Sequence, residues 1–193
     1  MGMKIGQIGL RPQPFSSVIF NEGQLMEEFD THVVPLNLAL IQTRYNQILQ
    51  DRKEELKKGA DDLRAKYILD KVSDEGAEKL YAFGLLFKDL MDEKDLDGIS
   101  AECWSAMPAL VGSKQCVAYA ILSDMGYLSS CESDMHAIMT QLLLRSLTFG
   151  KKVPFLGEFL HIPRGAFQLT KSVGSRIQIR VILPKHLLAK LFT

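Results

Sequence analysis

Short apolar runs alternate along this chain with longer stretches in which apolar residues recur at helical spacing. Runs of four to eight residues bounded by turn-forming residues are typical of buried β-strands. The first run, KIGQIGL, ends in Arg11-Pro12-Gln13-Pro14, where proline cannot continue a sheet. The pattern predicts five strands, at 4–10, 32–36, 97–101, 128–131 and 153–159.

The stretches between these runs predict helices. Residues 38–67 carry an apolar stripe and a charged stretch at 50–58, and we expect Gly59 to divide them into two helices. A helix after the fourth strand begins at Ser133 or Asp134, either of which can cap it, and runs to about residue 147. The other predicted helices lie at 21–29, 75–91 and 115–124.

The order of strands and helices predicts the fold class. Strands that alternate with helices imply right-handed crossovers and a largely parallel sheet. We therefore expect an α/β fold, a Rossmann-like three-layer domain with a largely parallel sheet, over residues 1–162. Residues 163–193 are expected to form a basic tail outside this domain.

Composition narrows the possible partners and the compartment. The 193 residues include 23 basic and 23 acidic side chains, so no net charge attracts the chain to nucleic acid or to an anionic membrane. The N-terminus has no signal-peptide pattern, and no apolar run approaches the ~20 residues of a membrane span. We expect a cytoplasmic protein that binds neither nucleic acid nor a membrane.

The cysteines at 103, 116 and 131 suit neither a disulfide framework nor a zinc corner, and are expected to be reduced, buried thiols.

The tail differs in charge from the rest of the chain. Glu158 is the last acidic residue, whereas basic residues continue to Lys190. Nucleic-acid binding would require interleaved aromatic residues, and Phe167 and Phe192 are poor support for it. Two alternatives stay open, a shifted reading frame and an amphipathic basic helix at 185–192.

Two carboxylates lie at predicted strand ends. Glu132 directly follows the fourth strand, and Glu158 lies near the end of the fifth. Ligands of open α/β sheets bind beyond the carboxyl ends of the strands, so these two side chains can converge on one cation. Oxygen ligands favour Mn²⁺ or Mg²⁺ over zinc. Each glutamate, taken alone, is also compatible with a solvated or capping role.

Several segments together resemble the L-fucose isomerase-like family, which is similar to the L-arabinose isomerases. The resemblance covers residues 4–162 and is strongest over 102–160. Its first half includes KIGQIGLRPQPF and the segment from Asn21. The segments that carry its stronger half are CW at 103–104, CVAYAILSDMG at 116–126, CESDMHA at 131–137 and PFLGEF at 154–159.

The resemblance implies an aldose–ketose isomerase acting on a deoxyhexose or pentose through a cis-enediol. Glu132 and Glu158 match the family's catalytic and metal-binding acids, and the implied cofactor is Mn²⁺ or another divalent cation. The implied partners are a small-molecule sugar and further copies of the chain in a homo-oligomer.

The chain also departs from the family's pattern. The family's metal-binding histidine lies downstream, and neither His136, His161 nor His186 is a good match for it. We therefore expect an incomplete site, inactive as this chain alone. The alternative is a non-catalytic fragment, or an oligomerisation or interaction module, that keeps the isomerase fold. Trp104 is compatible with sugar stacking, but we expect it in the core.

Overall fold

The main sheet has four parallel strands. The computed structural model describes residues 2–154, except 68, 70, 71, 113 and 114, together with the backbone of 157–161 and 168–171. The strands lie in the order β2-β1-β3-β4. Their bounds are Met3–Ile8 (β1), Thr31–Leu36 (β2), Gly98–Ala101 (β3) and Ser129–Cys131 (β4). The first four predicted strands and their parallel pairing are thus confirmed.

Seven α-helices and a 3-10 helix at Ser16–Val18 connect or follow these strands within the described residues. Asn21, Asn37, Ser73 and Asp134 each accept a hydrogen bond from a backbone N–H of the helix that they begin. The α-helices are Glu22–Phe29 (α1), Leu38–Asp51 (α2), Lys53–Lys66 (α3), Asp74–Lys94 (α4), Ala106–Val111 (α5), Cys116–Asp124 (α6) and Met135–Leu147 (α7).

Helices cover both faces of the sheet, which confirms the three-layer α/β fold. One face packs Ile8 and Ile99 against α2, α4 and α6, with Phe83 and Phe87 at the centre of this core. The other face packs Ile5 against α1 and α7. Because adjacent strand residues point to opposite faces, the apolar strands supply both cores.

The break in the long helical segment lies at Arg52 and not at Gly59, so that prediction was wrong. Arg52 leaves the helical conformation, with φ −116° and ψ 33°, between α2 and α3. Gly59 lies inside α3, where a Cβ atom would be only 2.2 Å from the ring of Tyr81 on α4. The glycine therefore permits close packing of two helices.

The fifth predicted strand does not join the main sheet. Strand β5 (Gly157–His161) pairs with β6 (Gln168–Lys171) in a separate antiparallel sheet. The connection at 162–167 is too short for the crossover that a parallel pair requires, so these neighbouring strands can only run antiparallel. The proposed domain boundary at residue 162 stays a prediction.

No helix in the described part of the chain is both long and apolar enough to cross a lipid bilayer.

Candidate active site

The order of the strands reverses between β1 and β3. From β1 the chain goes first to β2 on one side and then crosses to β3 on the other. Such a topological switch point leaves a crevice at the carboxyl ends of the two central strands, which is where open α/β sheets bind their ligands. Gly9 follows β1 there, Glu102 follows β3, and Glu132 follows the neighbouring strand β4.

Glu102 is a carboxylate that organises this edge. It is buried, and its two oxygens accept hydrogen bonds from the backbone N–H groups of Trp104, Ser105, Ala106 and Met107 at 2.5–3.2 Å, as well as from the Ser105 hydroxyl. A carboxylate is the acceptor best suited to the N–H groups that begin a helix. Glu102 therefore fixes the turn between β3 and α5. The position of Glu102 directly after the third predicted strand is the sequence signal that could have found it.

Glu132 lies in a strained turn at the end of β4. Its φ is 63° and that of Ser133 is 55°, and both side chains are buried. Residues other than glycine held in this left-handed region cost about 1–3 kcal/mol each, and such strain clusters at functional sites.

Hydrogen bonds to the end of β1 hold this turn in place. The Ser133 hydroxyl lies 3.3 Å from the carbonyl oxygen of Ile8 and 3.1 Å from that of Gly9, and can donate to either. On the other side of the turn, the Ser130 hydroxyl contacts the Asp134 carbonyl oxygen at 2.9 Å. The backbone of Glu132 is thus tied to the neighbouring strands.

Two thiols lie beside Glu132. The metal-ligating atoms of Cys103, Cys131 and Glu132 are all within 4.8 Å of one another, and all three residues are buried. The parallel register, which pairs Ala101 with Cys131, brings the end of β3 beside the end of β4. The prediction of buried thiols is confirmed for Cys103 and Cys131, whereas Cys116 is exposed. The sequence signal for the cluster was the position of two cysteines at strand ends.

Trp104 lies at the surface of this edge, so its prediction as a core residue was wrong. The exposed fraction of Trp104 is 53%, and its ring packs edge-on against that of Phe15, with 5.7 Å between the ring centroids. Leu10, which lies with Phe15 in the segment after β1, is also exposed. The hydrogen bonds that the backbone N–H groups of Trp104 and Ser105 donate to the Glu102 carboxylate fix the turn that carries the indole.

Tyr119 lies beneath the thiols. Burial raises the pKa of Tyr119 well above its ordinary value, and its hydroxyl donates to the carbonyl of Ala101 at 3.1 Å. The phenol is therefore neutral at physiological pH and cannot act as the base of the site.

The remaining predicted site residues are separate from this cluster or outside the described side chains. Glu158 and His161 belong to β5, whose side chains lie outside the described residues, as does the whole of His186. The convergence of Glu132 and Glu158 therefore stays a prediction. His136 is exposed on α7 and does not belong to the cluster of Cys103, Cys131 and Glu132.

Comparison with known proteins finds sugar isomerases among the relatives of this chain. No family model matches the sequence. The chain is 26% identical over 160 residues to sulfoquinovose isomerases of Priestia aryabhattai and Priestia megaterium, and 24% identical over 161 residues to that of Alkalicoccus urumqiensis. The similarity supports a sugar isomerase family. Each comparison covers 83% of this chain and 35% of the relative, so the chain spans about a third of the length of these sugar isomerases. The similarity does not single out the L-fucose or L-arabinose isomerases.

Proposed function

We propose that this chain carries part of the active site of a metal-dependent aldose–ketose isomerase, with Glu132 as a metal ligand. The observation that carries the proposal is the buried carboxylate of Glu132, held in a strained turn at the carboxyl end of β4. The position beside the topological switch point and the similarity to sulfoquinovose isomerases support it.

The substrate proposed for this site is sulfoquinovose. This sugar is a 6-deoxyhexose that carries a sulfonate group at C6, so it belongs to the deoxyhexoses expected from the sequence. The names of three similar proteins support this choice over a pentose. Self-association of the chain, which the resemblance implies, stays a prediction.

The cluster of Cys103, Cys131 and Glu132 offers one hard oxygen ligand for a cation such as Mn²⁺. Both oxygens of Glu102 already accept backbone hydrogen bonds, and the other donors beside Glu132 are thiols, which Mn²⁺ does not favour. The proposed oxygen site therefore needs Glu158 as well as Glu132. A cation held by these two acids would supply Lewis-acid polarisation of the C1 carbonyl and the C2 hydroxyl.

The proton transfer is assigned to the carboxylates of the chain. One of them, Glu132 or Glu158, removes the proton from C2 of the open-chain aldose and returns it to C1, while a proton moves from the C2 oxygen to the C1 oxygen. The intermediate is a cis-enediol, and atoms and charge balance. The turn holds the backbone of Glu132 at the end of β4, which limits the reorganisation that its side chain needs during the reaction.

Paramagnetic broadening of sugar resonances tests this proposal without requiring turnover. In a solution of the chain, Mn²⁺ and sulfoquinovose, we expect the ¹H NMR signals of H1 and H2 to broaden more than those at C6, because the cation would lie beside C1 and C2. Glu132→Gln removes a ligand oxygen and should reduce the broadening to that of Mn²⁺ without protein.

The matched control is Glu27→Gln, which changes an exposed glutamate on α1 and should broaden H1 and H2 as much as the wild type does. Equal broadening of all sugar protons, or unchanged broadening in Glu132→Gln, would contradict the proposal. A parallel sample with diamagnetic Mg²⁺ in place of Mn²⁺ measures the broadening that comes from exchange of the bound sugar. The additional broadening with Mn²⁺ is paramagnetic.

A further inference from the structure

We propose that Cys103, Cys131 and Glu132 form a binding site for a thiophilic divalent cation, of the class of Zn²⁺, Co²⁺ and Cd²⁺. The three ligating atoms lie within 4.8 Å of one another and come from the ends of two adjacent parallel strands. This is a different cation chemistry from that of Mn²⁺, because two of the three donors are sulfur.

The donor set suits a tetrahedral ion. Zinc binds thiolate sulfur at about 2.3 Å and carboxylate oxygen at about 2.0–2.2 Å, so two sulfurs on one tetrahedral zinc are roughly 3.8 Å apart. The separations of up to 4.8 Å in the cluster need to shorten by only about 1 Å, which small rotations of the side chains can supply. Each thiol loses its proton to solvent as its sulfur binds the ion. A water molecule can take the fourth position.

The surrounding structure holds the backbone of the three donor residues in place before any ion binds. Cys103 lies between Glu102 and Trp104, in the turn that the Glu102 carboxylate fixes through its backbone hydrogen bonds. Cys131 is the last residue of β4, and Glu132 follows in the strained turn. All three cysteines are in the described part of the chain and carry thiols rather than disulfides.

The site has a consequence for the proposed isomerase. Glu132 belongs to both donor sets, so a thiophilic cation on the thiols competes with Mn²⁺ for the same carboxylate. The thiols take no part in the proposed Mn²⁺ site, so the two proposals can fail separately. Cys131→Ser should remove the thiophilic site while Mn²⁺ binding persists.

The test is a titration of the reduced chain with Cd²⁺ alone, followed by the ultraviolet charge-transfer band of cadmium–thiolate bonds. We expect one Cd²⁺ per chain to produce the band. Cys103→Ser or Cys131→Ser should reduce the band by at least about half, because one of two sulfur ligands is lost. Cys116→Ser is the matched control, since it changes the exposed thiol outside the cluster, and its band should equal that of the wild type.

Two results would overturn the proposal. One is the absence of a band at one equivalent of Cd²⁺, and the other is an equal loss of the band in Cys116→Ser. If the buried variants do not fold, the wild type still decides the question through the reactivity of its thiols. Cd²⁺ should slow the alkylation of Cys103 and Cys131 relative to the metal-free chain, as mapped by mass spectrometry, and leave the rate at Cys116 unchanged, whereas equal rates with and without Cd²⁺ at Cys103 and Cys131 would contradict the site.

Discussion

At the residue scale, two glutamates follow neighbouring strands and have different structural roles. Glu102 distributes both carboxylate oxygens over four backbone N–H groups and the Ser105 hydroxyl. Glu132 lies in a turn whose backbone is left-handed and is anchored to the end of β1 through Ser133. The first carboxylate stabilises the loop, and the second is the one proposed to bind the cation.

Glu102→Gln tests the structural role of the first carboxylate. The amide group of glutamine cannot accept hydrogen bonds at its nitrogen, so two buried N–H groups would lose their acceptor. We expect the free energy of unfolding to fall by on the order of 3 kcal/mol, as measured by urea denaturation. A loss below about 1 kcal/mol would show that the hydrogen bonds of this turn matter little.

Sequence reasoning located Glu132 because a carboxylate directly after an apolar run marks the ligand-binding edge of a parallel sheet. Glu102 carries the same signal, because it directly follows the third predicted strand, but its contacts depend on the turn that its own side chain stabilises. Sequence reasoning placed Trp104 in the core because a single tryptophan is usually buried, whereas the turn carries the indole outward. Contacts made by the loops, unlike strand ends, leave no periodic signal in the sequence.

At the scale of elements, short apolar runs predicted the four strands of the main sheet, because helices cover both of its faces. Apolar residues at helical spacing predicted most helices, because each has one buried face. Two features depended on tertiary contacts instead. The position of the break between α2 and α3 could not be read from the glycine alone, since Gly59 serves the packing of α3 on α4. Strand β5 has a short connection to β6, and this local pairing replaces the expected crossover.

Gly59→Ala tests the contact between α3 and α4. Alanine favours a helix over glycine by up to about 1 kcal/mol, but the added methyl would lie 2.2 Å from the Tyr81 ring. We expect the displacement of the ring to dominate, with a net loss of about 1–2 kcal/mol in the free energy of unfolding. Thermal or urea denaturation measures it.

The control is Gly23→Ala at an exposed position of α1, which should leave the stability unchanged or raise it by up to about 1 kcal/mol. A stabilising Gly59→Ala variant would show that α3 and α4 are not packed as closely as described.

At the scale of the whole molecule, the tyrosines couple folding to alkaline pH. The pKa of every one of the five tyrosines is raised, chiefly through burial except at Tyr127, where the hydrogen bond to Asp92 is the main cause. Below the ordinary tyrosine pKa of about 10, the phenols are neutral in both the folded and the unfolded chain, and their contribution to the free energy of unfolding does not change with pH. Above it the unfolded chain ionises first, so the stability falls as the pH rises.

Urea denaturation between about pH 8 and pH 11 measures this loss. We expect each buried phenol to contribute a slope of at most about 1.4 kcal/mol per pH unit, and Tyr119→Phe to make the decline shallower. Phenolate absorbance should appear together with unfolding. A stability that stays constant to pH 11, or ionisation of Tyr45 or Tyr119 in the folded chain, would contradict the burial of these two side chains.

The whole chain combines a confirmed three-layer α/β fold with sequence similarity to sulfoquinovose isomerases over 83% of its length. The α/β class followed from the order of the elements, whereas the chemistry depends on which side chains meet at the switch point. Glu132 is the residue on which the sequence, the strained turn and the proposed reaction agree.

Isothermal titration with Mn²⁺ tests the central claim that Glu132 is a metal ligand. We predict that the wild type and Glu27→Gln bind one Mn²⁺ per chain with equal affinity. In Glu132→Gln the affinity should fall by at least about 10-fold, the smallest loss usually seen even for residues that only support a ligand, with an unchanged circular dichroism spectrum. Equal Mn²⁺ affinity in Glu132→Gln and the wild type, or the absence of Mn²⁺ binding by the wild type, would contradict the claim.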